Sequence, residues 1–179
     1  MVLVSSQLIN FSNVISSFTA PLRYPGYTDN DLAGIIAALS PLSRCHYVMA
    51  SYTPFATDLE ENFKSNRKSS VLDIMRRLLQ PKNLLASVGT SRKNSYLSIF
   101  DIIRGDVSSQ EIHTSLTRIK EKKLAQFVPW SPSQINVSVC RQAADAKNRI
   151  SGLMLANNTS ITAVKNIINN KIFNKIYSY

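Results

Sequence analysis

Glycine is scarce in this chain of 179 residues, and its five glycines are widely spread. They are Gly26, Gly34, Gly89, Gly105 and Gly152. A loop that cradles phosphate needs glycines close together, because backbone N–H groups must approach the phosphate oxygens. The sequence contains no P-loop and no dinucleotide fingerprint, so we expect no self-contained phosphate site.

Cysteine and histidine are also scarce. Cys45 and Cys140 are too few for a disulfide framework and are typical of reduced thiols in a cytosolic protein. His46 and His113 lack the clustered ligands that a tetrahedral metal site requires. Cys140, His46 and Asp145 could form a nucleophilic set, but a simple core thiol is the stronger interpretation. We therefore predict no catalytic residues and no metal site.

Long apolar runs are missing as well. None reaches the roughly 18 residues that cross a bilayer, and the first residues lack the basic start of a signal peptide. Hydrophobic residues still make up 44% of the chain, which is enough for a core. We expect a cytoplasmic protein that does not bind membranes.

Charge is unbalanced, with a formal net charge of +10 that is carried by the residues after position 60. A basic excess is typical of proteins that bind nucleic acid. Here the basic residues are scattered and no aromatic platform lies among them, which favours a solvated surface. A basic nucleic-acid-binding domain remains the alternative.

The first forty residues have the apolar spacing of two helices. In the first, residues three or four positions apart would form one buried face. These residues are Val4, Leu8, Phe11, Ile15 and Phe18. Pro21 and Pro25 are expected to end that helix. Asp29 or Asn30 is expected to cap the second helix. Its predicted buried face consists of Leu32, Ile35, Ile36 and Leu39.

Strands and helices alternate in the remainder. Four segments predict strands, namely residues 45–52, 96–103, 135–139 and 150–155. Ser70 with Asp73, and Ser108 with Glu111, have the capping-box spacing and predict two helices. Gly152 marks a bulge or a close contact in the fourth strand. The alternation predicts an α+β fold with a mixed four-stranded sheet and packed helices.

Five motifs keep one order along the chain. They are Leu22–Tyr27 followed by Asp31-Leu32, Tyr52–Pro54, Val71–Asn83, Leu124–Trp130 and Ser151–Asn157. Together they resemble the gamma-tubulins, a branch of the tubulin family. The resemblance extends from Leu22 to Ser160, and Met75–Asn83 is similar to gamma-tubulin rather than to alpha- or beta-tubulin.

The resemblance implies a domain plan. Residues 1–21 would be the end of the family's core helix, residues 22–157 an intermediate domain, and residues 158–179 the start of a helical C-terminal domain. That last segment is expected to be helical from Asn158. The resemblance also implies a fragment without the N-terminal nucleotide-binding domain and without the C-terminal end. GTP or GDP would belong to the intact family member, and this chain alone is not expected to hold it.

The resemblance also implies two loops with contact roles. Gly26, Asn30 and Asp31 match the loop that faces the nucleotide of the next subunit along a protofilament. Gly34 stands where alpha-tubulin has a glutamate that activates water, so no hydrolytic base is implied here. Asp29 replaces the family's usual asparagine, and its carboxylate would be repelled by a triphosphate.

The second loop, residues 53–68, matches the family's lateral-contact loop. The residues assigned to that contact are Tyr52, Phe55, Lys64, Arg67 and Lys68. Charges of both signs in this loop could steer the docking of neighbouring subunits. An ordinary solvated loop is the alternative.

The function implied by the resemblance is that of a structural template for microtubule nucleation. Its partners would be alpha/beta-tubulin dimers, other gamma-tubulins and gamma-tubulin complex proteins. Its location would be the cytoplasm and cytoskeleton, at the microtubule-organising centre (centrosome or spindle pole). Besides nucleic-acid binding, a nonfunctional truncated tubulin remains an alternative, because the apolar helix stripe would be exposed and favour aggregation.

Overall fold

The helices and strands are taken from a computed structural model, which describes residues 2–26, 31–41, 45–54, 70–85, 95–132, 134–140 and 150–161. The helices are α1 (Val2–Phe18), α2 (Ala20–Arg23), α3 (Leu32–Leu39), α4 (Val71–Leu78) and α5 (Ser109–Glu121), with a 3-10 turn at Pro81–Asn83. The strands are β1 (Met49–Thr53), β2 (Tyr96–Arg104), β3 (Ile135–Cys140) and β4 (Ser151–Asn158).

The four strands form one sheet in the order β1-β4-β2-β3. Strands β2 and β3 are parallel, whereas β4 runs antiparallel to both β1 and β2. The predicted fold class, an α+β fold with a mixed four-stranded sheet and packed helices, is therefore confirmed. No helix within the described ranges is long and apolar enough to span a bilayer.

Helices cover both faces of the sheet. Successive side chains of a strand point to opposite faces, so neighbouring residues of β2 contact different helices. In β2, Phe100 and Ile102 pack with Ile35 and Leu39 of α3. Ile103 faces the other way, in the cluster formed by α4 and α5. The sheet thus lies between α1–α3 on one side and α4–α5 on the other.

Local capping signals place α4 and α5. The Ser70 hydroxyl accepts a hydrogen bond from the Asp73 N–H at 3.2 Å, and the Ser108 hydroxyl accepts one from the Glu111 N–H at 3.2 Å. Each bond satisfies a donor that the first turn of a helix leaves free. Both predicted caps are confirmed.

The carboxyl end of α4 is held by side chains from outside the helix. Asn83 donates its Nδ2–H to the carbonyl of Arg77, and Ser51 of β1 donates its hydroxyl to the carbonyl of Leu78 at 2.8 Å. These bonds occupy carbonyls that a helix leaves free at its end. The motif Met75–Asn83 therefore has a structural role, since it ends α4 and ties it to β1.

Gly152 makes a close contact and lies outside any bulge. A Cβ atom there would lie 2.8 Å from Cγ2 of Ile74 and 3.0 Å from Cδ1 of Leu78, so α4 approaches the β4 backbone directly. The irregularity in the sheet lies between Tyr96 and Ser98. The close-contact interpretation is confirmed, and the bulge interpretation is wrong.

The predicted helix stripe in α1 is only partly correct. Phe11 and Ile15 are 62% and 49% exposed, whereas Val14 and Phe18 pack against the core. The side chains of Val4 and Leu8 lie outside the described residues. Helix α1 therefore presents part of its apolar surface to solvent.

Several boundaries also differ from the predictions. Strand β1 begins at Met49 and not at Cys45, since its pairing with β4 starts at Met49 and Ala156, and the preceding Tyr47 and Val48 are exposed. Strand β4 continues to Asn158, where a helix was expected to begin. Buried Asn157 donates to the Leu39 carbonyl at 3.2 Å and so joins β4 to α3. Beyond residue 161, the last predicted helix lies outside the described residues.

A candidate docking face at the end of the sheet

One end of the sheet collects the ends of all four strands. Arg104 at the end of β2 pairs with Cys140 of β3 and with Ser151 of β4, and Thr53 pairs with Gly152 next to them. We call this region the sheet-end face, and it comprises residues 22–26 and 104–108 together with Thr53, Cys140 and Ser151. Both implied contact loops begin at this face.

Helix α2 brings the segment 22–26 to the sheet-end face. The Arg23 guanidinium donates from Nη2 to the Ser16 hydroxyl at 2.9 Å and also to the Ser16 carbonyl. The Tyr24 N–H donates to the Ala20 carbonyl at 2.8 Å. Pro21 lies in the first turn of α2, where proline is tolerated because that N–H has no helical partner. These contacts fix the segment relative to α1.

The Tyr24 ring contacts two guanidinium groups. The Arg23 and Arg104 guanidinium carbons are 5.4 and 5.5 Å from the centroid of the Tyr24 ring. Cation–π contacts at this distance contribute about 0.5–1 kcal/mol each at exposed sites. The Arg104 Nε is buried and has no hydrogen-bond partner within the described residues. The two contacts hold the segment against the end of β2.

Gly26 continues the segment onto β3. A Cβ atom at this position would overlap with the carbonyl oxygen of Val139, so only glycine lets the two backbones come this close. Gly105, with φ of +148°, makes the turn after β2. Between these glycines lies a cleft of about 570 Å³, lined by residues 25–26, residues 105–109, Ile112, Val137 and Val139. The face therefore contains a cleft between the segment 22–26 and the turn after β2.

Tyr52 lies in β1, in agreement with the predicted strand 45–52, and is therefore a strand residue rather than part of the contact loop to which the resemblance assigned it. The side chain is only 8% exposed and belongs to the core cluster beneath α1–α3. Burial raises the pKa of its phenol, although hydrogen bonds with Ser17 and Ser151 and the Arg104 charge act in the opposite direction. Tyr52 therefore contributes packing beneath the sheet-end face and almost no surface for a partner.

Asp31 is the N-cap of α3. Its Oδ2 accepts a hydrogen bond from the Gly34 N–H at 2.9 Å. The prediction that Asp29 or Asn30 caps this helix is therefore wrong. Asn30 lies outside the described residues, as do Phe55, Lys64, Arg67 and Lys68. The contact roles implied for both loops stay predictions.

The hypothetical nucleophilic set is wrong, because two of its members lie at opposite ends of the sheet. Cys140 is fully buried at the sheet-end face, and burial raises the pKa of its thiol. His46 follows Cys45, whose carbonyl accepts a hydrogen bond from Asn157 at the far end of β4. The length of β4 separates the two ends by about 20 Å. Asp145 is not among the described residues, and those residues contain no metal-binding cluster.

Asp101 is a buried acid that was not among the predicted site residues. It lies in the middle of β2, on the face covered by α4 and α5, opposite Val137 and Met154. It is 4% exposed and its Oδ1 has no hydrogen-bond partner within the described residues, and burial raises its pKa to about 7. The available signal was the single acid inside the apolar run Ile99–Ile103.

A protein-family model described as the tubulin C-terminal domain matches residues 43–170. The match includes all four strands and both helices of the α4–α5 layer. The tubulin family consists of GTP-binding proteins of the cytoplasmic cytoskeleton, and a member is expected to interact with tubulin or microtubules. Because the match covers well over half of the sequence and agrees with the mixed sheet, the chain belongs to the tubulin family.

Proposed function

We propose that this chain is a docking subunit of the gamma-tubulin type, part of the template on which alpha/beta-tubulin dimers assemble into microtubules. The observation that carries the proposal is the sheet-end face, where Gly26 and Tyr24 hold a backbone loop directly against β3 and β2. A surface fixed in this way is preorganised, so its own residues lose less conformational entropy when a partner binds. Other gamma-tubulins and gamma-tubulin complex proteins are the further proposed partners, at the microtubule-organising centre.

The same face supports docking better than catalysis. Among the three loop residues matched to gamma-tubulin, Asp31 carries the carboxylate, and the Gly34 N–H already occupies its Oδ2. Gly34 has no side chain that could activate water for a neighbour's GTP. We therefore propose a structural component and not an enzyme. GTP or GDP is proposed for the intact protein only, because the widely spaced glycines of this sequence provide no phosphate cradle.

The proposal predicts that alpha/beta-tubulin dimers contact the sheet-end face. We suggest placing the photo-crosslinker p-benzoylphenylalanine at Asp106, an exposed residue of this face, or at Tyr47, an exposed residue near the opposite end of the sheet. With unpolymerised alpha/beta-tubulin, the Asp106 variant is expected to give a crosslinked product, because residue 106 lines the cleft at the sheet-end face.

The Tyr47 variant is the matched control and is expected to give little product. Crosslinking from Tyr47 alone, or from neither position at tubulin concentrations of about 10 µM, would contradict the proposal, since a docking contact with a Kd of about 1 µM would be mostly occupied at that concentration. Mass spectrometry of the Asp106 product would identify the partner segment.

A further inference from the structure

A second cavity lies beside α5, between this helix and the start of β3, away from the sheet-end face. It has a volume of about 990 Å³, and outside α5 it is lined by Ser95, Lys123, residues 125–127, Pro132, Gln134 and Ile135. We call it the α5 groove. Its size is at the upper end of the range of about 300–1,000 Å³ that is typical of ligand pockets.

The floor of the α5 groove is apolar. Leu116 and Ile119 of α5 face Ile135 of β3, with Ala125 and Phe127 beside them. The Phe127 ring packs against Tyr96, with a distance of 6.3 Å between the ring centroids. Phe127 is the one aromatic carbocycle in the described lining, so the floor is mostly aliphatic.

The rim of the groove carries positive charge. Lys120 and Lys123 are exposed and line the groove, whose described lining includes no acidic residue. The partial negative charge at the carboxyl end of α5, about half an elementary charge, offsets only part of the charge of the two lysines. The N–H groups of Lys122, Lys123 and Leu124 donate to carbonyls in the last turn of α5.

We propose that the α5 groove binds an acidic peptide segment of a partner protein, with an apolar side chain on the floor and flanking carboxylates beside Lys120 and Lys123. The argument is charge complementarity around an apolar centre, the arrangement by which protein interfaces join an anchor residue to a polar rim. A nucleic acid fits less well, because base stacking needs open aromatic faces and the floor is mostly aliphatic. The groove belongs to α5 and β3, so this inference does not depend on the proposed role in nucleation.

The experiment begins with a phage-displayed library of random dodecapeptides, selected in parallel on the full chain and on the double variant Lys120→Glu/Lys123→Glu. Selection on the unchanged chain is expected to enrich peptides with Asp or Glu on both sides of a Leu, Ile or Phe. The best synthetic peptide is then titrated against each protein. Trp130, the single tryptophan, is exposed and lies two residues from the groove residue Pro132, so its fluorescence can report binding.

The double variant is expected to bind this peptide at least about tenfold more weakly, because attraction at the rim becomes repulsion. Lys122→Glu is the matched control, since Lys122 is exposed on the same turn but does not line the groove. Its binding is expected to fall by less than about threefold through long-range charge alone. Circular dichroism of all three proteins would verify that each is folded.

Three results would overturn the proposal. The first is a selection without acidic enrichment, and the second is equal weakening by Lys122→Glu and by the double variant. The third is displacement of the selected peptide by an equimolar single-stranded oligodeoxythymidylate, which would assign the groove to nucleic acid instead.

Discussion

The variant Asp101→Asn is expected to be more stable than the unchanged chain at pH 8, by about 2–4 kcal/mol in the free energy of unfolding. The reason is that Asp101 is buried in β2 with an Oδ1 that has no partner within the described residues, so its ionised form is unfavourable in the folded state. An amide of the same shape removes that charge. Urea denaturation at pH 5 and at pH 8 would measure the difference.

The sign follows from the raised pKa, which burial moves from 3.8 to about 7. Below the pKa that Asp101 has in the unfolded chain, its carboxyl is protonated in both states, so its ionisation does not change the free energy of unfolding. As the pH rises from about 4 to about 7, the unfolded chain loses the proton while the folded chain keeps it. Stability therefore falls by about 1.4 kcal/mol per pH unit in this window and is constant above it. Asp101→Asn is expected to remove this slope.

Asp106→Asn is the matched control, because Asp106 is exposed in the turn after β2. Its free energy of unfolding is expected to stay within about 0.5 kcal/mol of the unchanged chain at both pH values. If Asp101→Asn were destabilising at pH 8, or if the variant kept the pH slope of the unchanged chain, Asp101 would not be the buried neutral acid described here.

The variant Gly26→Ala is expected to lose about 1–3 kcal/mol of stability and to release the segment 22–26 from β3. The added methyl group would overlap with the Val139 carbonyl oxygen, and a backbone atom in a paired strand cannot rotate away. Moving the loop would also separate Tyr24 from Arg104. Urea denaturation would measure the loss, and hydrogen exchange at the Tyr24 amide would report the release.

Gly34→Ala is the matched control. Its added methyl group would meet the carboxylate of Asp31, a side chain that can move, and alanine favours the helix more than glycine. We expect a net change within about 1 kcal/mol, because the gain in helix propensity offsets a weakened cap. A Gly26→Ala protein with unchanged stability and a fully protected Tyr24 amide would refute the close contact with Val139.

Local signals explain why much of the fold could be predicted. Ser70 and Ser108 begin α4 and α5 as expected, since a cap depends on residues within one turn. Local signals were not sufficient before α3, because three adjacent residues are all of types that can cap a helix. The structure assigns the cap to Asp31, and sequence spacing alone had no means of separating Asp31 from Asp29 and Asn30.

The candidate site was harder to predict, because its contacts join distant parts of the chain. Gly26 meets Val139, and Tyr24 meets Arg104, across large separations in sequence. Tyr52 was assigned to the lateral contact by resemblance alone, yet it lies inside β1, which continues through Thr53, and its side chain is buried. Exposure of Phe11 on α1 likewise depends on which face the core covers, which helical spacing alone does not determine.

Sedimentation velocity of this chain mixed with unpolymerised alpha/beta-tubulin tests the docking role most directly. At about 10 µM of each component, we predict a boundary faster than that of either protein alone, and a weaker shift with Gly26→Ala. Independent sedimentation of the two proteins across this concentration range would contradict the assignment of this chain as a tubulin-docking subunit.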